Sequence, residues 1–241
     1  MENHDPHFPK SNFAFDETVA PIFDSMAARS IPGYALAHQH ITEYMSVADL
    51  TPFDAVWDFG CSTGAGLVAA RKGAGQTPLR YIGVDPSQPM LDIVKERYPW
   101  VQTIQGELPR AEAFPWSDMQ TFGSATACIF AYTLQFMPNP DDRRKMLQQA
   151  YAALQPGGML FVFEKWKIDG IFEDIENQRY WKWRMDNGYT GHEIEHKTEA
   201  LKGSMWPWRE TDLTDALQAA GFTRINQLYR QFMFGGYVAV K

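Results

Sequence analysis

The chain has 241 residues, a formal net charge of −7, 45% hydrophobic and 21% charged residues. That length suits one sizeable α/β domain with an insertion, and the composition is ordinary for a soluble globular protein. The acidic balance weighs against broad electrostatic binding to nucleic acid, and no apolar run approaches the roughly 20 residues of a membrane span.

Met1 to His7 lacks a basic-then-apolar leader pattern, so a cytoplasmic location is the default expectation. Residues 1–12 are polar and proline-bearing, as in a loose arm. Phe15, Val19, Ile22, Phe23 and Met26 then recur at helical spacing, predicting a helix over 15–29. Pro32-Gly33 breaks it, and a second helix is expected over 36–47. Residues 13–50 therefore read as a helical cap on a single domain spanning 1–241.

The core begins at Ala55. A short apolar run reaches Asp58, a turn follows with Gly60, Gly64 and Gly66, and then small residues start a helix to about Lys72. Glycines there open backbone angles closed to other residues and let a ligand approach the main chain. The spacing is neither that of the dinucleotide fingerprint nor that of a phosphate loop. A second strand, 80–84, ends at Asp85. An acid about 20 residues beyond a glycine loop suits the ribose hydroxyls of a nucleoside; Asp85 also has a structural reading as the N-cap of a helix over 87–97. Strands are further expected over 101–105, 124–132 and 159–164, with a helix over 140–154 stopped by Gln155-Pro-Gly-Gly158. Ligands of such sheets bind beyond the carboxyl ends of the strands, which makes residues 131–136 the expected floor of a reaction site. Cys61 and Cys128 fall in or beside the buried strands and read as free thiols of a reducing compartment.

Residues 165–210 form an aromatic-rich insertion holding five of the eight tryptophans. It reads as a lid or dimer surface that also packs itself onto the sheet. A last helix over 211–220 and a strand pair to Lys241 complete the chain. His192 and His196 have the spacing of a helical metal pair, but no third ligand is evident, so no metal is expected.

Asp58-Phe-Gly60 followed by Gly64 resembles motif I of the class I S-adenosylmethionine (SAM) methyltransferases. The resemblance implies a Rossmann-like α/β fold: a seven-stranded, mostly parallel sheet with N-terminal helices and a helical insertion between strands 5 and 6. It implies that Asp58, Gly60, Cys61, Ser62 and Gly64 embrace SAM, that Asp85 and Pro86 serve the ribose, and that Glu107 and Leu108 flank the adenine. A narrower likeness runs from Phe15 to Lys241. Phe15-Asp-Glu17, Arg29-Ser-Ile-Pro-Gly-Tyr34, Thr133-Leu-Gln-Phe136, Asn187-Gly-Tyr189 and Ala220-Gly-Phe222 resemble the carboxy-SAM synthase family. Those enzymes make carboxy-S-adenosylmethionine from SAM and prephenate for tRNA wobble uridine modification. The likeness implies a cofactor contact for Tyr34 and a homodimer. Two positions depart from the family: Thr198 stands where its arginine pairs with the extra carboxylate, and Ala131 where it has asparagine. Thr198 cannot make a bidentate charged pair with a carboxylate.

Three functions follow. The first is methyl transfer from SAM to a small or medium-sized acceptor, which needs alignment and exclusion of water and no obligatory catalytic side chain. The second is carboxy-SAM synthesis. The third is SAM binding without catalysis. Candidates on the substrate side are Tyr132, Gln135, Tyr189, Thr198 and Arg209. Gln135 reads equally as a ligand contact or as a partner of loop backbone.

Overall fold

The computed structural model describes residues 14–106 and 124–241. Seven strands form one sheet in the order β3-β2-β1-β4-β5-β7-β6. They are β1 (Ala55–Phe59), β2 (Arg80–Asp85), β3 (Val101–Gln105), β4 (Ala125–Ala131), β5 (Leu154–Lys165), β6 (Arg224–Gln231) and β7 (Phe234–Val240). β1 to β5 pair in parallel, and β7 enters antiparallel between β5 and β6. This is the mostly parallel α/β sheet expected from the sequence. The strand order reverses between β1 and β4, so the crevice for a ligand opens above their carboxyl ends.

Both faces are covered because the central strands are apolar on both sides. Helices α1 (Phe23–Ser30), α2 (Tyr34–Val47), α3 (Ala65–Ala74) and α4 (Gln88–Arg97) precede β3. Ile41, Met45, Leu67 and Leu91 from α2, α3 and α4 pack on Val56, Ile129 and Phe161 of the sheet. On the other face, α5 (Pro140–Ala153) and α8 (Glu210–Ala220) set Met146, Leu147, Leu213 and Leu217 against Trp57, Phe59 and Phe130. The insertion supplies α6 (Ile171–Asp186) and α7 (Gly191–Ala200), the latter started by a reciprocal Thr190–Glu193 capping box. Trp166 and Trp208 at its two ends are buried in the sheet's core, so part of the aromatic content holds the insertion down.

The entry segment differs from the expected helix over 15–29. The Asp16 carboxylate accepts from the backbone N–H groups of Thr18 and Val19, at 3.0 and 3.2 Å. That local turn competes with helix, and Pro21 has no N–H to donate. Among the described residues, a 3-10 turn, Ala20–Ile22, is what precedes α1. β5 also begins earlier than expected, at Leu154, because Gly157 N–H donates to Lys241 O and Lys241 N–H to Gly158 O. Among the described residues, no helix is long and apolar enough to cross a membrane, and no group of three or more His, Cys, Asp or Glu is placed to hold a metal ion.

Candidate functional site

The glycine loop is fastened to the end of β2. Gly60 and Cys61 donate backbone N–H bonds to Val84 O at 2.7 and 3.0 Å. Ser62, itself in the left-handed region at φ 49°, donates its N–H to Asp85 Oδ2 at 2.8 Å. Ser87 N–H donates to Asp85 Oδ1, also at 2.8 Å. The helix cap is Ser87, whose hydroxyl accepts from Met90 N–H at 3.3 Å, so Asp85 is not the N-cap and holds its carboxylate under the loop. Pro86 O accepts from Gln105 Nε2 at 3.2 Å. Burial pushes the Asp85 carboxyl up to about 6, against the pull of its two backbone donors.

Gly60 has φ 74°, and a Cβ there would lie 2.6 Å from both Cγ2 and Oγ1 of Thr133. The Thr133 hydroxyl donates to Phe59 O at 2.8 Å and cannot swing aside without breaking that bond. Gly60→Ala is therefore expected to displace the loop from β4, losing about 1–3 kcal/mol of stability and weakening SAM binding. Thermal unfolding with and without SAM measures both.

Asp58 lies beneath the same loop. Its Oδ2 would be 2.4 Å from a Cβ on Gly66, so glycine is what lets α3 start over the carboxylate. Its Oδ1 is buried with no hydrogen-bond partner. Burial first, and the Asp85 charge second, push the Asp58 carboxyl up to about 8. A buried acid with a vacant acceptor calls for a donor or cation. The Cys61 thiol, also pushed up by burial, sits against Gly83 and is inert to ionisation. α1 closes the loop's far side: Asp24 accepts from the Thr63 hydroxyl and pairs with Arg97 at 2.7 Å.

Across the crevice, β4 ends at Ala131, which offers only a methyl group. Tyr132 follows at φ 61°, strained for an aromatic residue. Its ring stacks on Tyr34 with centroids 6.0 Å apart, and its hydroxyl meets that of Tyr229 at 2.6 Å. Tyr34 is half-buried; burial and then the Asp24 and Asp58 charges push its phenol above the ordinary range. Gln135 Oε1 accepts from Lys165 N–H at 2.8 Å and its carbonyl from Trp206 N–H at 2.7 Å. These bonds give Gln135 the backbone-satisfying role.

Sequence reasoning passed over Glu164. It is fully buried, takes Leu134 N–H on Oε1 at 2.9 Å, and is pushed by burial up to about 8. It fixes the turn Leu134–Phe136 that floors the crevice. A carboxylate at the carboxyl end of an apolar strand was the available sign.

The insertion docks onto the cap through polar groups. Tyr189 is buried, and its hydroxyl lies 2.9 Å from Ser30 Oγ and 3.0 Å from Lys197 Nζ. Lys197 Nζ also donates to Ser30 Oγ at 2.5 Å, and the Tyr180 hydroxyl to Ser30 O at 2.6 Å. The sequence offers Lys197, Lys202 and Arg209 as stand-ins for the charge missing at Thr198, and Lys197 is the one turned inward, since Ile194, Lys197 and Ala200 mark the inner face of α7 at helical spacing; Ser30 and Tyr180 carry no site role in that reading. Thr198 points along its own helix, donating to Ile194 O at 2.7 Å. Arg209 stands apart from this group, exposed and paired with Asp169 at 2.7 Å. Lys202 is likewise exposed and pairs with Glu199. Glu107 and Leu108 lie outside the described residues.

A cradle with an unpartnered acid, a second acid on the loop backbone and a glycine packed to contact has the chemistry to take SAM, which carries a cationic methionine end and ribose hydroxyls. The comparisons bear on the fold and on the cofactor. The family described as "Methyltransferase domain" matches residues 56–158. The carboxy-S-adenosyl-L-methionine synthase of Shewanella amazonensis is 34% identical over 98% of this chain and 96% of its own. That of Pasteurella multocida is 34% identical over 95% of this chain and 94% of its own. A chain of the complex between the Haloferax volcanii Trm112 methyltransferase activator and its methyltransferase superposes with a TM-score of 0.61 at 15% identity, covering 93% of this chain and 96% of that one, which shows the fold. The chain thus belongs to the carboxy-S-adenosyl-L-methionine synthase family, SAM-dependent transferases built on the class I methyltransferase fold.

Proposed function

We propose that this chain transfers the methyl group of SAM to a small acceptor bound between the insertion and the cap. The observation that carries this reading is the position of Thr198, whose hydroxyl is spent on Ile194 O. This position lacks the arginine that the family pairs with the added carboxylate, and Ala131 at the end of β4 lacks the asparagine of the family's cofactor site. SAM supplies an electrophilic methyl on a sulfonium. The chain's part is positional. Asp58 answers the methionine end of the cofactor and Asp85 its ribose beneath the glycine loop, with Pro86 beside the ribose. Tyr34 and Tyr132 wall the reacting side and exclude water. No acid–base pair is required of the protein. A homodimer in the cytoplasm, one domain per chain, completes the proposal; the exposed Ile171, Phe172 and Ile175 of α6 offer it an apolar face.

Carboxy-SAM synthesis is the second reading. It is favoured by likeness over nearly the whole chain and by Lys197, a buried cation one residue before Thr198. Incubation with SAM, with and without prephenate, separates the two by mass spectrometry. Methyl transfer predicts S-adenosylhomocysteine with a methylated acceptor from a carboxylate panel. A SAM species heavier by one carboxyl group, formed only with prephenate, would replace the first reading by the second. Tight SAM binding with no turnover of either kind would support a non-catalytic binder.

A further inference from the structure

β5 and α6 each place one cation on the roof of the crevice, with no acid paired to either among the described residues. Lys165 closes the strand on the face opposite Glu164, since successive side chains alternate. Its Nζ lies 5.9 Å from the Tyr180 ring centre and 6.0 Å from that of Phe234. Arg184, one turn beyond Tyr180 on α6, sets its guanidinium 4.2 Å from the same Tyr180 ring. Arg184 is 9% exposed, and its Nε is buried with no hydrogen-bond partner. Among the described residues neither cation has a carboxylate partner. Burial first, and then the like charge of Arg184, lower Lys165 to about 8. Burial also lowers Arg184. A buried guanidinium facing a half-buried ammonium of like charge is destabilising unless something anionic joins them.

Their surroundings say what that anion is attached to. Phe234 lies 6.5 Å from Tyr132, which stacks on Tyr34. Tyr180 lies 5.3 Å from Phe234. The cations thus end a continuous aromatic wall that begins beside the glycine loop.

We infer that Lys165 and Arg184 form a carboxylate subsite for the second substrate, with Tyr180 and Phe234 as the platform for an apolar, ring-bearing body. A guanidinium presents paired donors that match a carboxylate, and an ammonium adds a point charge from the strand side. The inference rests on the reacting methyl lying beyond the ends of β4 and β5, and it holds for either reaction proposed above.

The test is calorimetry on the full chain saturated with S-adenosylhomocysteine, titrated with 3-phenylpropanoate and with the neutral isostere 3-phenylpropanamide. The carboxylate is expected to bind at least about tenfold tighter than the amide. Arg184→Gln and Lys165→Met each remove that preference, while Arg184→Lys and Lys165→Arg keep most of it and guard against loss of fold. Equal binding of the two probes, or binding of neither at millimolar concentration, overturns the subsite while leaving the SAM site intact. Failure of the wild-type chain to take up S-adenosylhomocysteine would instead overturn the cofactor site.

Discussion

Asp85→Asn is expected to weaken SAM binding by at least about a hundredfold. The wild-type carboxylate is held rigid by two 2.8 Å backbone bonds, one from the loop and one from the start of α4. Each oxygen accepts one of these bonds and has a second lone pair to offer a ligand. Two ribose hydroxyls donating to an anion contribute about 1.5–3 kcal/mol each. Asparagine preserves the shape, but one acceptor becomes a donor facing either Ser62 N–H or Ser87 N–H. The loss thus falls on both the ligand and the loop. Calorimetric titration with SAM measures the first and thermal unfolding of the free chain the second. Unchanged SAM affinity would remove Asp85 from the ribose.

Asp58→Asn is expected to move stability and binding in opposite directions. Asp58, Asp85 and Glu164 all have carboxyl groups raised by burial, to about 8, 6 and 8. Their unfolded values lie near 4. Between those limits the native state binds more protons than the unfolded one, so the unfolding free energy falls as pH rises from about 4 to 8. For Asp58 the window is the widest of the three, because burial and the Asp85 charge act together. At about 1.4 kcal/mol per pKa unit the penalty at pH 8 amounts to several kcal/mol. The amide removes it. The variant should melt higher than wild type at pH 8 and show little difference at pH 4. It should bind SAM roughly tenfold or more weakly, since a neutral amide no longer answers the cationic end of the ligand. Melting curves across pH 4–8, with and without SAM, show both effects. A variant less stable than wild type at pH 8 would contradict the buried, repelled carboxylate.

Much of the fold was legible because its marks are local. Each strand of the first half ends at a glycine or an acid, and β1, β2 and β3 came out within a residue of their expected bounds. The entry segment was misread because helical spacing of Phe15, Val19 and Ile22 is blind to a competing side-chain turn at Asp16 and to a missing donor at Pro21. The acids of the site could be picked out as candidates, since Asp58 and Asp85 both close apolar runs. Their states could not, because a carboxyl raised to about 8 depends on burial supplied by distant segments. The roof of the crevice was the least legible part. Lys165 and Arg184 come from different elements and meet only through Tyr180. Lys197 and Thr198 are neighbours in sequence, yet the helix turns one inward to Ser30 and the other back along itself.

Methyl transfer by this chain requires that SAM occupy the loop between Asp58 and Asp85 with its methyl uncarboxylated. Mass spectrometry of the nucleoside released from freshly purified wild-type chain tests it most directly. Wild-type chain is expected to release SAM or S-adenosylhomocysteine in amounts approaching one per chain, and Asp85→Asn purified alongside to release neither. Carboxy-S-adenosylmethionine as the released species would contradict methyl transfer, and no nucleoside from the wild-type chain would contradict the cofactor site itself.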